Sequence, residues 1–196
     1  GLGGAGTQAY TQLEAISSVR DIETVVVADQ SPEKQAAFVD AFADRFDVRA
    51  GSIEDAAGCD VLSTITPVES PIVDREWLGE RTHVNAIGAD AAGKQEHDER
   101  TLLDAKLVID NYEQCTHSGE INVPWGEGVL TDADLHGELG DIVAGTLPGR
   151  TDDDGLTLFD STGLAIQDVA AAHVVYESAS ADGDGTPFPL VDTDTT

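Results

Sequence analysis

Short apolar runs and helical stretches alternate along the chain, and this alternation predicts its secondary structure. The unbroken β-branched run at 24–28 is typical of a strand that is buried on both faces. Helical spacing of apolar positions predicts helices at about 7–18 and from Pro32 to about Asp44, with Ser31 as the N-cap of the second. Further short apolar runs predict strands at 1–3, 47–50, 60–65, 82–87, 107–109 and 156–159. Strands that alternate with helices favour a parallel α/β sheet with right-handed crossovers.

The pattern changes after about Gln114. Residues 115–158 carry several glycines and two prolines, and they predict a short helical piece around 135–144. A long helix with an apolar face is predicted from Thr162. After Ser178 the sequence is rich in Asp, Gly and Thr, which predicts a disordered tail.

A glycine-rich turn lies at the start of the chain, between the first strand and the first helix. Two registers of the pattern G-x-G-x-x-G/A fit it, one over residues 1–6 and one over residues 4–9. We favour the second, because it leaves the first three residues for the strand and lets the helix begin at Thr7. In that register Gly4 makes the tight turn and Gly6 lets the backbone approach a pyrophosphate, whose charge the helix N-terminus would face.

Asp29 directly follows the β-branched strand. It lies 23 residues beyond Gly6, close to the spacing of about 20 expected for the acid that binds a dinucleotide ribose. A solvated loop acid is the alternative interpretation. Gln30 and Ser31 offer no cation for a 2′-phosphate, so the pattern favours NAD over NADP. With the glycine turn, Asp29 predicts a Rossmann-type doubly wound parallel sheet that lacks most of its first strand.

A second candidate segment follows the strand at 82–87. Asp90 comes just after the carboxyl end of that strand, where ligands bind in open α/β sheets. A carboxylate there can act as a general base or polarise a substrate amine. Lys94 would either pair with Asp90 or reach a cofactor phosphate, and a polar loop with an ion pair is the alternative interpretation.

A third candidate segment follows the strand at 156–159. Ser161 and Thr162 offer hydroxyl groups and free backbone amides to a ligand. An ordinary N-cap at either residue satisfies the sequence equally well. The two cysteines and five histidines show no metal-type spacing, so we predict no metal site.

The charge balance argues against some classes of partner. The 196 residues include 38 acidic and 10 basic side chains, a net charge of −28. So negative a molecule repels polyphosphate, which argues against nucleic-acid binding. Dispersed acids and scarce lysines favour a salt-adapted cytoplasmic protein over an acidic partner surface or a cation site, because salt screens self-repulsion. No apolar run approaches membrane-spanning length, so we predict a soluble protein without a membrane partner.

Several blocks together resemble the ornithine cyclodeaminase/mu-crystallin family, which includes archaeal alanine dehydrogenases. The resemblance runs from residue 1 to about Ala179. The matching blocks are Gly4–Ala9, Asn85–Asp90 with Gly93, Lys94 and Glu96, Ser118–Ile121, and Phe159–Ala165 with Asp168. The resemblance implies an NAD-dependent enzyme that oxidises the α-carbon of an L-amino acid to an imine and releases ammonia, with ornithine and alanine as alternative substrates. A mu-crystallin-like binding protein and a ketimine reductase stay open as alternatives.

The resemblance also implies roles for particular residues. Asp90 matches the family's catalytic acid, and Thr162 lies where the family contacts its substrate. Asp29 would bind the adenosine ribose of NAD. The other residues expected at the cofactor are Gly4, Gly6, Thr7, Gln8, Thr66, Ile87, Gly88, Ala89, Lys94 and Ser161.

The family plan implies three segments. We expect an NAD-binding Rossmann-type core at 1–114, remaining sheet elements and a return toward the substrate and dimer domain at 115–179, and the acidic tail at 180–196. Family members carry a long segment before the glycine turn that supplies much of the homodimer and substrate domain. We therefore expect an N-terminally truncated chain whose C-terminal helix lacks its partners, and which alone binds NAD poorly and catalyses nothing.

Overall fold

A computed structural model describes residues 1–186 and residue 188 of the protein. The chain forms two compact units, Gly1–Thr162 and Gly163–Thr196. The strands of the first unit are β1 (Leu2–Gly3), β2 (Thr24–Ala28), β3 (Asp47–Ala50), β4 (Val61–Thr64), β5 (His83–Ala86), β6 (Lys106–Ile109), β7 (Leu135–Glu138) and β8 (Thr157–Asp160). Its helices are α1 (Thr7–Val19), α2 (Pro32–Phe42), α3 (Ile53–Ala57), α4 (Glu99–Asp104), α5 (Tyr112–Ser118), α6 (Asn122–Gly126) and α7 (Leu139–Ala144). The second unit contains α8 (Ala165–Asp182).

The strands form one parallel sheet in the order β3-β2-β1-β4-β5-β8-β6-β7. The chain builds outward from β1 to β3, returns to β4 and then builds in the other direction, so the strand order reverses between β1 and β4. Such a reversal opens a crevice at the carboxyl ends of the strands, where ligands of open α/β sheets bind. This is the Rossmann-type doubly wound sheet that the sequence predicts. Its first strand has two residues, which pair with β2 on one side and with β4 on the other.

Side chains of β2 alternate between two hydrophobic clusters. Val26 belongs to the larger cluster, whereas Val25 and Val27 belong to the cluster that α1 and α2 complete. In the second cluster Phe38 is fully buried, and its ring centroid lies 4.9 Å from that of Tyr10. The expectation that the β-branched run is buried on both faces is confirmed. The two clusters fix the sheet that carries the loops of the site.

Most predicted elements are present within a few residues of their expected bounds. The predicted helical piece at 135–144 is partly wrong, because β7 occupies its first four residues and α7 the rest. β7 is an edge strand that pairs with β6 alone, its side chains are half-buried, and Gly137 within it has a φ of +148°. Such a strand lacks the continuous apolar run that marks the inner strands. The short helices α3 to α6 lie in stretches where the apolar pattern predicted neither a helix nor a strand.

The helix predicted from Thr162 begins at Ala165, after Gly163 in a left-handed conformation (φ +79°). Its N-cap is Leu164, which makes no side-chain capping hydrogen bond. The interpretation of Ser161 or Thr162 as an ordinary N-cap is therefore wrong. α8 also continues to Asp182 and so includes the first residues of the predicted disordered tail. Residues 187 and 189–196 of that tail lie outside the described residues.

The apolar side chains of α8 are exposed rather than packed. Ile166, Val169 and Tyr176 are each more than half exposed, and His173, which we expected on a packed face, is exposed as well. Among the described helices, none combines the length and the apolar character needed to cross a membrane.

Candidate functional site

Five adjacent strands, β2, β1, β4, β5 and β8, end in the loops that carry the predicted site residues. Adjacent strands lie about 4.8 Å apart, so these loops form a line of about 19 Å along the carboxyl edge of the sheet. Backbone hydrogen bonds join neighbouring loops, from the amide of Gly4 to the carbonyl of Ala28 (2.7 Å) and from Ser161 to Ala86 (3.0 Å). Along the line lie Gly4, Gly6, Thr7 and Gln8 after β1, Asp29 after β2, Thr66 after β4, Ile87, Gly88, Ala89, Asp90 and Lys94 after β5, and Ser161 and Thr162 after β8.

The glycine turn adopts the register over residues 4–9. Gly4 has a φ of +110°, and a Cβ there would lie 3.0 Å from the carbonyl oxygen of Ile65. Gly6 has an ordinary extended backbone, and a Cβ there would meet no protein atom within 4 Å. Ala9 is fully buried, as its packing role in this register requires. Gly6 thus leaves open space at the N-terminus of α1, which is the geometry that binds phosphate.

Asp29 braces the glycine turn from the end of β2. Its Oδ2 accepts a hydrogen bond from the amide of Ala5 (2.8 Å) and its Oδ1 accepts one from the amide of Ser31 (2.8 Å). Partial burial raises the pKa of Asp29, but the two amide donors outweigh it and hold the pKa below its ordinary value. A carboxylate has about four acceptor positions, so acceptor capacity remains for ribose hydroxyls. Thr7 and Gln8 are exposed at the start of α1.

One carboxylate joins the loops that follow β4 and β5. Oε1 of Glu96 accepts hydrogen bonds from the amide (2.7 Å) and the hydroxyl (2.6 Å) of Thr66, and Oε2 accepts one from the amide of Gly88 (3.0 Å). A Cβ on Gly88 would lie 2.3 Å from the carbonyl oxygen of Thr66, so this close approach requires glycine. Glu96 is fully buried, and burial raises its pKa.

The loop after β5 presents Asp90 to solvent. The Asp90 carboxylate pairs with the ammonium of Lys94, and this hydrogen bond lowers the pKa of Asp90. The Asp90 side chain is 63% exposed. Asn122 fixes the turn behind the pair, since its Oδ1 accepts from the amide of Gly93 (2.8 Å) and its Nδ2 donates to the carbonyl of Lys94 (2.8 Å). Ala89 is buried, so it can reach a ligand through its backbone alone.

Asp110, directly after β6, holds the turn that follows β8. Its Oδ2 accepts hydrogen bonds from the hydroxyl of Ser161 (2.9 Å) and the amide of Thr162 (2.8 Å). The Thr162 hydroxyl also lies 3.0 Å from Oε1 of Gln114. Each hydroxyl has a protein acceptor for its hydrogen and keeps oxygen lone pairs, which can accept from an amide or amine of a ligand.

Behind these loops, buried acids tie one backbone segment to the next. Asp160 accepts from the amides of Glu120 (2.9 Å) and Ile121 (3.2 Å), and Glu120 accepts from the amides of Glu96 and His97. Burial raises the pKa of Asp160 to about 7 and the pKa of Glu120 well above its ordinary value. Because both side chains are fully buried, they belong to the frame of the site rather than to its reacting surface.

No role was predicted for the framing residues Glu96, Glu120, Asn122, Asp110 and Asp160. A signal was available for two of them, because Asp110 and Asp160 end apolar strands in the way that an acid ends β2. Glu96 and Glu120 belong to the blocks that resemble the family, but their sequence positions predicted no physical role for them. Asn122 had no local signal for its role at the site, since the site residues it contacts, Gly93 and Lys94, lie 29 and 28 positions away in the sequence.

Two cavities lie away from this edge. One of about 460 Å³ is lined by residues at the amino ends of β1, β2 and β4, and one of about 720 Å³ is lined by residues of α1, α7, β5, β6 and β8. The candidate site is instead the open line of loops at the carboxyl edge.

A doubly wound sheet with a braced glycine turn and an acid at the end of its second strand defines a dinucleotide-binding α/β protein. The side chains fit such a ligand, because the space over Gly6 is open and Asp29 keeps free acceptor positions. The chain belongs to the ornithine cyclodeaminase/mu-crystallin family, whose model matches residues 1–183.

Known relatives share both sequence and fold with the chain. It is 50% identical over 177 residues to alanine dehydrogenase of Archaeoglobus fulgidus, covering 90% of this chain and 55% of the relative. It is similar to an archaeal alanine dehydrogenase dimer with bound NAD (TM-score 0.93, 47% identity, 97% of this chain and 60% of that one). It is also similar to Thermococcus litoralis Δ1-pyrroline-2-carboxylate reductase in complex with NADH and L-proline (TM-score 0.90, 34% identity, 95% and 59%). The chain therefore spans between 55% and 60% of the length of these relatives.

Proposed function

We propose that the protein is an NAD-dependent oxidoreductase that oxidises the α-carbon of an L-amino acid to an imine, from which ammonia is released. The place of Asp90 carries this proposal. Asp90 is an exposed carboxylate, paired with Lys94, on a loop two strands along the edge from the glycine turn. A base two strands away from the glycine turn can act on a substrate beside the nicotinamide, while the pyrophosphate of an extended cofactor lies on the glycine turn.

NAD is the proposed cofactor, and it would lie along the carboxyl edge of the sheet. The glycine turn with Thr7 and Gln8 would hold its pyrophosphate, Asp29 its adenosine ribose, and Thr66 its adenine end. The backbone of 87–89, with Lys94 and Ser161, would line its nicotinamide end. Bound NAD supplies the acceptor for the hydride that leaves the substrate. Two solved relatives bind NAD or NADH at this fold, which supports the assignment.

The cofactor assignment predicts a preference for NADH over NADPH. The Asp29 carboxylate would repel a 2′-phosphate, and the neighbouring Gln30 offers no cation to bind it. Asp29→Asn should weaken NADH binding by about ten-fold or more, since it replaces one acceptor oxygen of the carboxylate by a donor NH₂ group. It should also narrow the preference for NADH over NADPH. Fluorescence titration with both cofactors measures this, with Asp40→Asn on the exposed face of α2 as the control. Equal affinity of the unsubstituted protein for the two cofactors would contradict the role of Asp29.

The residues of the chain would handle the substrate and its proton. The Lys94 hydrogen bond keeps the Asp90 carboxylate ionised at neutral pH, so Asp90 can take a proton from the substrate ammonium as hydride departs from the α-carbon. Thr162 lies at the end of β8, the strand next to β5, and its hydroxyl would contact the substrate.

Turnover with a panel of L-amino acids that includes alanine and ornithine tests the proposal. NADH formation is the expected result for a protein that also carries the family's N-terminal segment, whereas the chain alone is expected to form none. Asp90→Asn should lower kcat by about 100-fold or more while the Kd for NADH changes by less than about two-fold, with the exposed Glu99→Gln as the control. An Asp90→Asn variant that loses cofactor affinity but keeps kcat would instead indicate a generic dinucleotide-binding domain.

A second candidate is the opposite direction of reaction, the reduction of a cyclic imine. The similarity to a reductase solved with NADH and L-proline favours it. NADH consumption with Δ1-pyrroline-2-carboxylate, but no NADH formation with any amino acid, would select this function. Tight NADH binding without turnover in either direction would select a mu-crystallin-like binding protein.

We further propose that the protein works as a homodimer in a salt-rich cytoplasm. The exposed apolar side chains of α8 and the dimer of a solved relative support the dimer. The net charge of −28 supports adaptation to salt, and the free thiols of Cys59 and Cys115 are typical of a reducing compartment. Light scattering of the protein at low and high salt measures its oligomeric state.

A further inference from the structure

Glu120 is a buried acid. The hydrogen bonds that its carboxylate accepts come from the backbone of one strap, residues 95–98. Its carboxylate accepts hydrogen bonds from the amide of Glu96, at 2.9 Å to Oε1 and 3.0 Å to Oε2, and from the amide of His97, at 2.7 Å to Oε1. The side chain has no exposed surface. Within the described part of the chain, no Lys, Arg or His lies within ion-pair distance of it.

The strap in turn determines where two loops of the site lie. Glu96 projects from it and binds Thr66 with one oxygen and Gly88 with the other. The amide of Ile87 donates to the carbonyl of Thr64 (3.0 Å) at the strand ends, and the Glu96 bridge joins the two loops one step further out. A shift of the strap would therefore separate the adenine end from the nicotinamide end of the proposed dinucleotide site.

Glu120 is itself fixed from the opposite side. Its amide donates to Oδ1 of Asp160 (2.9 Å), and Asp160 is the last residue of β8. Gly119 lies so close to the Asp160 carboxylate that a Cβ would come within 2.6 Å of Oδ2. Glu120 thus connects the end of β8 to the strap that sets the loops after β4 and β5.

We propose that Glu120 is a positioning residue for dinucleotide binding, which it controls by holding the strap and, through Glu96, the spacing of Thr66 and Gly88. This inference rests on the proposed function. Glu120 touches neither of the ligand-facing loops directly, so it is not a catalytic residue. A buried acid without a cation costs stability, and a site that needs a rigid acceptor for two adjacent amides gives a reason for its presence.

A carboxylate suits this place better than a carboxamide does. The hydrogen bonds to the Glu120 side chain come from backbone amide donors, and a carboxylate is an acceptor on both oxygens. In Glu120→Gln, a side-chain oxygen at the position of Oε1 would keep both amides, but the NH₂ group at the position of Oε2 would face the amide of Glu96, so the second hydrogen bond from that amide would be lost. Asp98 offers a matched control in the same strap, because its carboxylate accepts from the amides of Thr101 (2.8 Å) and Arg75 (3.2 Å), which belong to neither of the two loops.

The experiment compares Glu120→Gln, Glu120→Asp and Asp98→Asn in NADH titrations, melting temperature and steady-state kinetics. Glu120→Gln should raise the Kd for NADH and the KM for NAD by about ten-fold, while the KM for the amino acid stays within about two-fold. Asp98→Asn should lower the melting temperature and leave the Kd unchanged. Glu120→Asp keeps the charge and is expected to fold with a smaller rise in Kd, which tests the proposal if the Gln variant does not fold.

A Glu96→Gln variant provides a further test, because Glu120 is proposed to act through Glu96. The double variant should bind NADH no more weakly than Glu96→Gln alone, and additive losses would overturn the proposal. An unchanged Kd in both Glu120 variants, with a lowered melting temperature, would show a merely structural role and leave the proposed function intact. Absence of NADH binding by the unsubstituted protein would overturn the proposed function and this proposal together.

Discussion

At the scale of single residues, four acids of the carboxyl edge show opposite pKa shifts according to their burial. Asp90 is exposed and its pKa is lowered, first by the Lys94 hydrogen bond. Glu96, Glu120 and Asp160 are fully buried, and burial raises their pKa values. The exposed group is available for proton transfer to a ligand, whereas the buried group accepts backbone amides and fixes the loops. Burial therefore decides which acids of this crowded edge can take part in chemistry.

The Asp90–Lys94 pair predicts a shift of the pH profile in Lys94→Gln. If ionised Asp90 is the base, activity is lost as the pH falls through its pKa, and removal of Lys94 raises that pKa. The acid limb of the kcat/KM profile should therefore move to higher pH. The pair is exposed, and such pairs are worth about 1 kcal/mol or less, so the shift should be below about one pH unit. Arg100→Gln, which breaks an exposed pair away from the site, is the control. Movement to lower pH would contradict the proposed base.

At the scale of elements, the two glycines of the first turn differ in why a side chain would be unfavourable there. Gly4 is required by the backbone, because its φ of +110° and the nearby carbonyl of Ile65 exclude a side chain. Gly6 has no such requirement, since a Cβ there would meet no protein atom. At Gly6 a side chain would instead meet the proposed cofactor, so folding and binding can be separated by two substitutions within one turn.

The pair Gly4→Ala and Gly6→Ala is expected to split stability from binding. Gly4→Ala should lower the free energy of unfolding by about 1–3 kcal/mol, because it forces a left-handed conformation on alanine. Gly6→Ala should change that free energy by less than about 1 kcal/mol yet weaken NADH binding, since its methyl group would occupy the space over the N-terminus of α1. Urea denaturation and fluorescence titration measure the two effects. A Gly6→Ala variant that binds NADH like the unsubstituted protein would show that no phosphate lies over this turn.

The predictable elements were those whose signal is local. The β-branched run of β2 and the Ser31 cap of α2 each determine an element within a few residues, and the structure confirms both. The edge strand β7 was missed because its half-buried side chains and Gly137 lack an apolar period. β7 is stabilised by its hydrogen bonds with β6, and the residues of β7 alone do not predict that pairing.

The candidate site was predictable to a similar extent. Acids and glycines at strand ends could be assigned from position alone, because the carboxyl edge of a parallel sheet is where ligands bind. The frame behind them could not, since Glu96 and Glu120 make contacts over 24 or more positions of sequence. In so acidic a chain, the sequence does not distinguish a buried carboxylate from a solvated one, because the backbone amides that it binds come from distant segments.

At the scale of the whole molecule, charge shapes stability in two ways. Ten basic side chains cannot neutralise 38 acidic ones in any arrangement, so the folded surface repels itself. Salt screens this repulsion, because the Debye length falls from about 10 Å at 0.1 M to about 3 Å at 1 M. The buried acids contribute separately, and salt reaches them much less. The two contributions can therefore be distinguished by measuring stability against pH at low and at high salt.

We predict that the proton held by Asp160 makes the melting temperature fall as the pH rises from about 5 to about 7. Burial lowers the pKa of His97 to about 4, and that group acts in the opposite sense, so the contribution of Asp160 is measured as a difference between variants at 1 M KCl, where surface repulsion is screened. Burial raises the folded-state pKa of Asp160 to about 7, above its unfolded value of about 3.9. The stability linked to that proton is present below the unfolded pKa and is lost as the pH rises through the folded one. Asp160→Asn should flatten the slope that remains at 1 M KCl, whereas the exposed Asp153→Asn should not. Differential scanning calorimetry measures these slopes, and equal slopes for Asp160→Asn and the unsubstituted protein at 1 M KCl would contradict the raised pKa of Asp160.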